Sequence, residues 1–405
     1  MDDNNIRKEL TIKPVTLEYL EQFNDLLAYV FQVTAKEVEE SGYEEGELER
    51  AKRPVLEKSD VIGWFHDDQL ISQLAIYPCT VNLHGKQVKM GGLTGVGTYP
   101  EYAGHGLMHD LIRLALQHMR AHKQWISYLY PYSIPFYRKK GWEIMSDHLT
   151  FDVKDTQLPK PQPTPGHVER LEIDDPDVIS TYQTYAKNNH GAMIRNQLNW
   201  DEYWRWENEE ERIAGVYYDA QDQPQGYVLY WIANEVFHIK EMVYNTQEAR
   251  VGLWNFVSAH FSMVEHVRGN IYKNEPLHFL LSDGDIKQTI HPYFMARIVD
   301  VAEFLKEYPF TEPGKPVHFN VTDPLAEWNN KTFGLWWNEK GAVEVTNRPV
   351  GEAVDVDIQT LTTMLMSYRR PSYLARIERL HASKAALKNL ESIIPMEEPY
   401  FSDYF

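Results

Sequence analysis

The sequence predicts a mixed α/β (α+β) fold in which one strand–turn–strand–helix unit occurs twice and a third segment of strands and helices follows. Three observations carry this. Residues 88–119 read as strand, glycine-bearing loop and helix. Residues 226–261 run through the same order of elements, so the unit reads as a repeated domain. Between the two lies DTQLPKPQPTPG (155–166), whose prolines Pro159, Pro161, Pro163 and Pro165 alternate. Such a run prefers an extended conformation without ladder hydrogen bonds and reads as a linker. At about 150 residues per domain, 405 residues make about three domains.

The elements follow in order. Leu20, Phe23, Leu27, Val30 and Phe31 share one helical face within 17–33. Residues 61–78 read as two strands joined at Asp67 and Asp68, with a third strand after the His84–Gly85 turn. Residues 125–130 (WISYLY) are strand-like, and 133–142 read as a short helix, then Gly141, then a final strand. Past the linker, GYVLYWIA (226–233) and 236–243 are rich in β-branched and aromatic residues and read as strands, with a helix over 246–261. The third segment starts near Asp300, with strands at 317–321, 332–337 and 342–345 and helices at 358–368 and 373–379.

Composition excludes several function classes. A hydrophobic fraction of 43% supplies real cores. The formal net charge of −19 repels phosphate backbones, so nucleic acid is not an expected partner; such acidity either draws in cationic small molecules or only keeps the chain in solution. One cysteine, Cys79, permits neither an internal disulfide nor a cysteine-based zinc site. The N-terminal residues have no apolar h-region and no stretch approaches 18 apolar residues. A cytoplasmic protein without membrane association is therefore expected.

The chemistry concentrates in 91–119, GGLTGVGTYPEYAGHGLMHDLIRLALQHM. Gly91, Gly92, Gly95 and Gly97 sit in or beside a strand, which they weaken unless a bulge or a ligand needs close backbone approach. A loop through Gly104, His105 and Gly106 runs straight into a helix that starts at Leu107. Free N–H groups and the positive end of the helix dipole can hold a pyrophosphate there. No GKS or GKT follows, so phosphoryl transfer is disfavoured. On the glycines alone, an ordinary tight turn explains the stretch about as well.

With SIPFYRKKGW (133–142) added, the pattern resembles the GNAT acetyltransferase superfamily. The layout of the whole chain is similar to the Eis-like proteins, through GVGTYPEYAGHGLM (95–108), SIPFYRKKGW, Arg195 with Trp200 and Trp204, and the aromatic C-terminus. The resemblance implies tandem GNAT-type mixed-sheet domains followed by a sterol-carrier-protein-like α+β domain. The expected boundaries are 1–154 for the catalytic domain, 155–166 for the linker, 167–299 for a second domain without a working site, and 300–405 for the last. It also implies acetyl-CoA as co-substrate, an amine acceptor and a homo-oligomer, with hexamers known among Eis-like proteins. Ala103 and Met108 depart from the superfamily, which has Arg or Gln and Gly or Ala there. The backbone amides of Gly104, His105, Gly106 and Leu107 are left to hold the pyrophosphate, with Val96, Gly97 and Thr98 also expected to bind the cofactor.

The mechanism implied is direct acetyl transfer to a primary amine, on a cationic small molecule or a lysine, in a ternary complex. Val96 N–H would polarise the thioester carbonyl, Tyr137 would protonate the leaving thiolate, and the terminal carboxylate of Phe405 would act as base or orient the ammonium. A free α-carboxyl, with a pKa of about 3.5, needs burial to serve as a base. The alternative is a lipid- or ligand-binding protein that uses the C-terminal domain beside a degenerate site. Other features rank lower. His118 and His122 have metal-ligand spacing but no third partner in sequence, so no metal is expected. His105 and His109 read as loop and helix-surface residues. The acidic run 41–49 could line an approach for cations, residues 200–206 read as core or interface, and Asp403 could hold a substrate ammonium.

Overall fold

The computed structural model describes residues 7–32, 45–205, 212–271, 275 and 277–405. Three mixed sheets organise them. With strands numbered along the chain, the first sheet begins β1 (Leu10–Pro14), β2 (Asp60–His66), β3 (Gln69–Leu83), β4 (Lys86–Thr98) and β5 (Ile126–Leu129), in that spatial order. The expected turns are present. Asp67 has φ +53°, and His84 and Gly85, with φ +47° and +87°, close the β3–β4 hairpin with the two positive φ angles of a type I′ turn. β3 runs on through Pro78 to Leu83, longer than expected, with Pro78 opposite Gly91.

Two strands are exchanged between the repeated units. β6 (Glu143–Ile144) stays in the first sheet, but β7 (Asp147–Lys154) crosses to the second. That sheet is ordered β8 (His167–Leu171), β9 (Ile213–Tyr218), β10 (Pro224–Ala233), β11 (Val236–Tyr244), β12 (His266–Ile271), β7 and β13 (Lys287–Pro292). In return β14 (Met295–Ile298) enters the first sheet between β5 and β6, pairing Met295 with Leu129 and with Ile144. The expected boundary at residue 154 thus follows a strand that pairs in the second sheet, and 167–299 ends on a strand of the first. Each unit thus places one strand inside its neighbour's sheet, β14 between β5 and β6 and β7 between β12 and β13.

The third sheet is ordered β17 (Val343–Thr346), β16 (Thr332–Trp337), β15 (Val317–Thr322), β18 (Glu352–Asp357) and β19 (Leu380–Ala382). Its helix Ile358–Leu365 buries Ile358, Leu361, Met364 and Leu365, and Thr362 Oγ1 accepts from Ile298 N–H at 3.0 Å. One apolar core runs from Phe23 and Phe65 through Phe294 to Leu361 and Ile393, so the first and third domains share their interior. The Arg297–Asp323 pair, 2.6 Å apart and fully buried, seals that seam.

Candidate active site

The site starts from a parting of two strands. β4 and β5 pair in parallel only from Met90↔Ile126 to Gly92↔Tyr128; β4 then continues to Thr98 while β5 ends at Leu129. The glycines of β4 explain themselves here. A Cβ on Gly91 would lie 2.7 Å from Met119 Sδ on the helix α3 (Leu107–Ala121), and one on Gly92 would lie 2.8 Å from the Phe405 ring. Further on, Gln73 faces Gly97 but Ala75 faces Thr94, so Gly95 and Val96 together oppose Leu74. Gly95 has φ +60°. This is a bulge opened by a left-handed glycine, and its extra residue falls out of the β3 ladder. The bulge places Val96 beside the parting.

Beyond Thr98, Tyr99 N–H donates to Ile71 O at 3.0 Å, and Pro100–Tyr102 make one tight turn. Gly104 and Gly106 have φ +84° and +76°. A Cβ on Gly104 would meet nothing within 4 Å, and Gly106, at the N-terminus of α3, provides no side-chain cap. The loop therefore presents backbone rather than side chains at the helix start, the geometry that accepts an anion. Trp64 Nε1 donates to Leu107 O at 3.0 Å and fixes the first turn of α3 on the sheet. Lys140 lies 2.8 Å from His109 Nδ1, Arg7 pairs with Asp110, and half-buried His105 lies in the loop between the two glycines. Burial, then the Lys140 charge, pulls His109 below its ordinary value.

Tyr137 lies on a short helix (Ile134–Arg138) and is 4% exposed. Its ring packs on Phe136 at 5.0 Å and Trp142 at 6.4 Å. Burial pushes its hydroxyl well above the ordinary tyrosine value, so it holds its proton. Tyr137 and Val96 belong to one apolar cluster with Leu93, Leu107 and Leu111, on the face of the sheet that α3 covers. The helix end is set by Gly141, with φ +95°, where a Cβ would overlap the Arg297 guanidinium.

The C-terminal tail packs against the other face. Phe405 is 8% exposed, with ring centroids 5.9 Å from Tyr77 and 5.2 Å from Phe294, and Phe401 lies 5.5 Å from Tyr128. Val96 and Tyr137 thus share the apolar cluster on the α3 face, whereas Phe405 meets Gly92 and Tyr77 in the core on the other. Asp403 is placed elsewhere than at an open acceptor pocket. It is 1% exposed and bonded to Arg195 Nε at 2.6 Å. Glu241, which no spacing pointed to, lies 3.0 Å from the same guanidinium. These groups are 208 and 46 residues from Arg195, so no local pattern could have joined them.

The second unit has the same strand scheme without the loop. β11 pairs in parallel with β12 only from Val236↔His266 to Ile239↔Gly269, and Lys240 is an extra residue against β10. Its helix, Gln247–Ser258, starts two residues after β11, and the Thr246 side chain accepts from Ala249 N–H. A side-chain cap thus fills the place where α3 leaves backbone N–H groups. Among the lower-ranked candidates, His118 and His122 stack at 4.1 Å and His118 Nε2 lies 2.8 Å from Asp60. Among the described residues, no three His, Cys, Asp or Glu side chains converge as a metal site. Trp200 is buried against Arg195. Residues 41–44 of the acidic run and Trp206 lie outside the described residues.

Comparison with known proteins agrees with this geometry. Residues 11–145 and 191–298 each match a family described as acetyltransferase (GNAT) domain, and 301–402 match the sterol carrier protein domain. No curated protein matches the chain. Among solved structures, a probable N-acyltransferase from Enterococcus faecalis is 27% identical, with a TM-score of 0.89 over 98% of this chain and 99% of that one. A GCN5-related N-acetyltransferase from Anabaena variabilis is 24% identical, with a TM-score of 0.85 over 98% and 100%. Eis1 from Mycobacterium abscessus is 18% identical, with a TM-score of 0.80 over 98% and 100%, and shares the fold. Among the described residues no helix is long and apolar enough to cross a membrane. With the parting of β4 and β5, the bulge at Val96 and the uncapped loop all in the first unit, the chain is an acyltransferase built of two GNAT acetyltransferase domains followed by a sterol carrier protein domain.

Proposed function

We propose that the chain transfers acetyl from acetyl-CoA to a primary amine of a cationic small molecule or a lysine side chain, at the parting of β4 and β5. The observation that carries this is the Gly95–Val96 bulge together with a helix start that has no side-chain cap, packed into one cluster through Val96 and Leu107. The amides of Gly104, His105, Gly106 and Leu107 hold the pyrophosphate, where the helix dipole favours it. Val96, Gly97 and Thr98 run along the pantetheine, and Val96 N–H polarises the thioester carbonyl. The amine attacks that carbonyl, and Tyr137, kept protonated by burial, donates to the departing thiolate. The Phe405 carboxylate takes the amine's proton or orients the ammonium. Direct transfer is favoured over an acyl-cysteine relay because Cys79 is buried and its thiol is pushed up to about 12, first by that burial. The formal charge of −19 supports a cationic acceptor and a cytoplasmic setting. Homo-oligomeric assembly is part of the same proposal.

The experiment is thiol release from acetyl-CoA with polyamines, simple diamines and lysine peptides, alongside calorimetry with CoA. Amine-dependent release with measurable CoA binding is expected, and absence of CoA binding sinks the reading. Residues appended after Phe405 should cut turnover with CoA affinity unchanged; unchanged turnover removes the carboxylate from the mechanism.

A further inference from the structure

We infer that Arg195, Asp403 and Glu241 form a positioning centre through which the second domain holds the C-terminal tail in the first domain's site; the catalytic part of this inference rests on the function proposed above. The centre is a buried guanidinium shared by two carboxylates. Arg195 Nε donates to Asp403 Oδ1 at 2.6 Å and its Nη2 to Glu241 Oε1 at 3.0 Å, and the Arg195 side chain has no exposed surface. Its remaining nitrogen, Nη1, makes no hydrogen bond among the described residues, and the guanidinium carbon lies 3.6 Å from the Tyr182 ring centroid and 3.8 Å from that of Tyr203.

Further contacts of the centre among the described residues point at the tail or fix the centre's geometry. The Tyr182 hydroxyl donates to Asp403 Oδ2 at 3.0 Å, Tyr227 to Glu241 Oε2 at 2.6 Å, and Ser402 Oγ to Glu241 Oε1 at 3.0 Å. Tyr293 donates to the Asp403 carbonyl at 2.9 Å, and Tyr400 N–H donates to His190 O at 2.9 Å. Tyr400 also lines the opening between β11 and β12 together with Ile239, Met242 and Ile271. The chain's own tail thus supplies part of the wall of the opening that corresponds to the first domain's parting. Two residues beyond Asp403, Phe405 meets Gly92 and Tyr77. Ion pairs this deeply buried contribute little net stability, because desolvation offsets the attraction, but removing one partner is costly. Their best-attested use is to specify one geometry, which here is the path of the tail.

The test compares wild type with Asp403→Ala, Asp403→Asn and Arg195→Lys. Asn keeps an acceptor for Arg195 Nε at nearly the same shape, and Lys keeps the charge without the fork that spans both carboxylates. Two readouts are taken on the full chain: the rate at which a carboxypeptidase removes Phe405, and kcat for amine-dependent thiol release beside the Kd for CoA. Asp403→Ala and Arg195→Lys are expected to speed removal of Phe405 by tenfold or more and to lower kcat tenfold or more, with Kd for CoA within twofold. Asp403→Asn should recover much of both. A merely structural role would move folding and CoA affinity together with kcat. If Asp403→Ala misfolds, Asp403→Asn and Arg195→Lys decide. Phe405 as protected in Arg195→Lys as in wild type, or kcat unchanged when the tail is released, overturns the inference. A wild type without any transfer activity defeats the proposed function instead, and the digestion alone then decides the clamp.

Discussion

Lowering the pH from 7.5 to 4.5 should unlock the junction of all three domains, through two stacked histidines. His84, in the β3–β4 turn, and His190 have ring centroids 3.5 Å apart. His190 Nδ1 accepts from His84 N–H at 3.2 Å, so its proton sits on Nε2, which donates to Met366 O at 2.9 Å in the third domain. Protonating Nδ1 would break the first bond and charge one of two touching rings. Burial first, then the neighbouring ring, lowers His84 to about 2, and burial lowers His190 to about 4, both from an ordinary 6.5. The sign follows from the protons bound. Below 6.5 the unfolded chain binds protons that the native pair refuses, so stability is whole above that pH and falls as pH drops towards the folded values. Each group costs about 1.4 kcal/mol per pH unit in that window. Two units below 6.5, the pair costs about 5 kcal/mol, comparable with the whole stability of a modest domain. Urea unfolding at pH 7.5, 6.5, 5.5 and 4.5 measures this, beside His190→Gln, which does not titrate. His109 and His148, also lowered, tilt both proteins equally, whereas His190→Gln should remove about 1.4 kcal/mol per pH unit of slope. Carboxylates held low, such as Asp152, act only nearer pH 4. A wild type flat between pH 7 and 5, or an unchanged slope in His190→Gln, refutes the argument.

Four further outcomes are expected. Tyr137→Phe should lower kcat by about 100-fold or more while leaving CoA affinity and Tm nearly unchanged; equal turnover would remove Tyr137 as the acid. Gly106→Val should weaken CoA binding measured by calorimetry, since φ is +76° there and a left-handed Val costs at least about 1–2 kcal/mol. Gly141→Ala should cost about 3 kcal/mol or more in urea unfolding, because φ is +95° and the new Cβ meets the Arg297 guanidinium. Gly92→Ala should lower kcat while CoA affinity holds, because its Cβ would press the Phe405 ring at 2.8 Å.

The sequence made much of the site legible because its parts are local. Glycines in β4, the loop into α3 and the FYRKKG helix lie within 50 residues of one another, and each has a backbone reason for its position. The hairpin turns at Asp67 and His84 were readable for the same reason, as both need left-handed backbone. What stayed hidden is what distance in sequence hides. The short strands β6 and β14 carry too few residues for a periodic signal, and they pair with each other across two units. Asp403 suggested a substrate ammonium, yet its partner is Arg195, two hundred and eight residues away. The bulge at Gly95 could be anticipated as a weak point in a strand, but the placement of Val96 depends on the register with Ala75, which the sequence does not display.

The reciprocal exchange of β7 and β14 has a consequence for how the protein can be taken apart. A fragment ending at residue 154 carries a strand with no sheet to join and lacks the strand that should lie between β5 and β6. Excising the second unit to obtain a minimal enzyme would therefore remove the wall behind Tyr128, where Ala296 pairs, as well as the partner of the tail. The second domain, whose helix start is closed by the Thr246 side chain, thus acts as scaffolding woven into its neighbour.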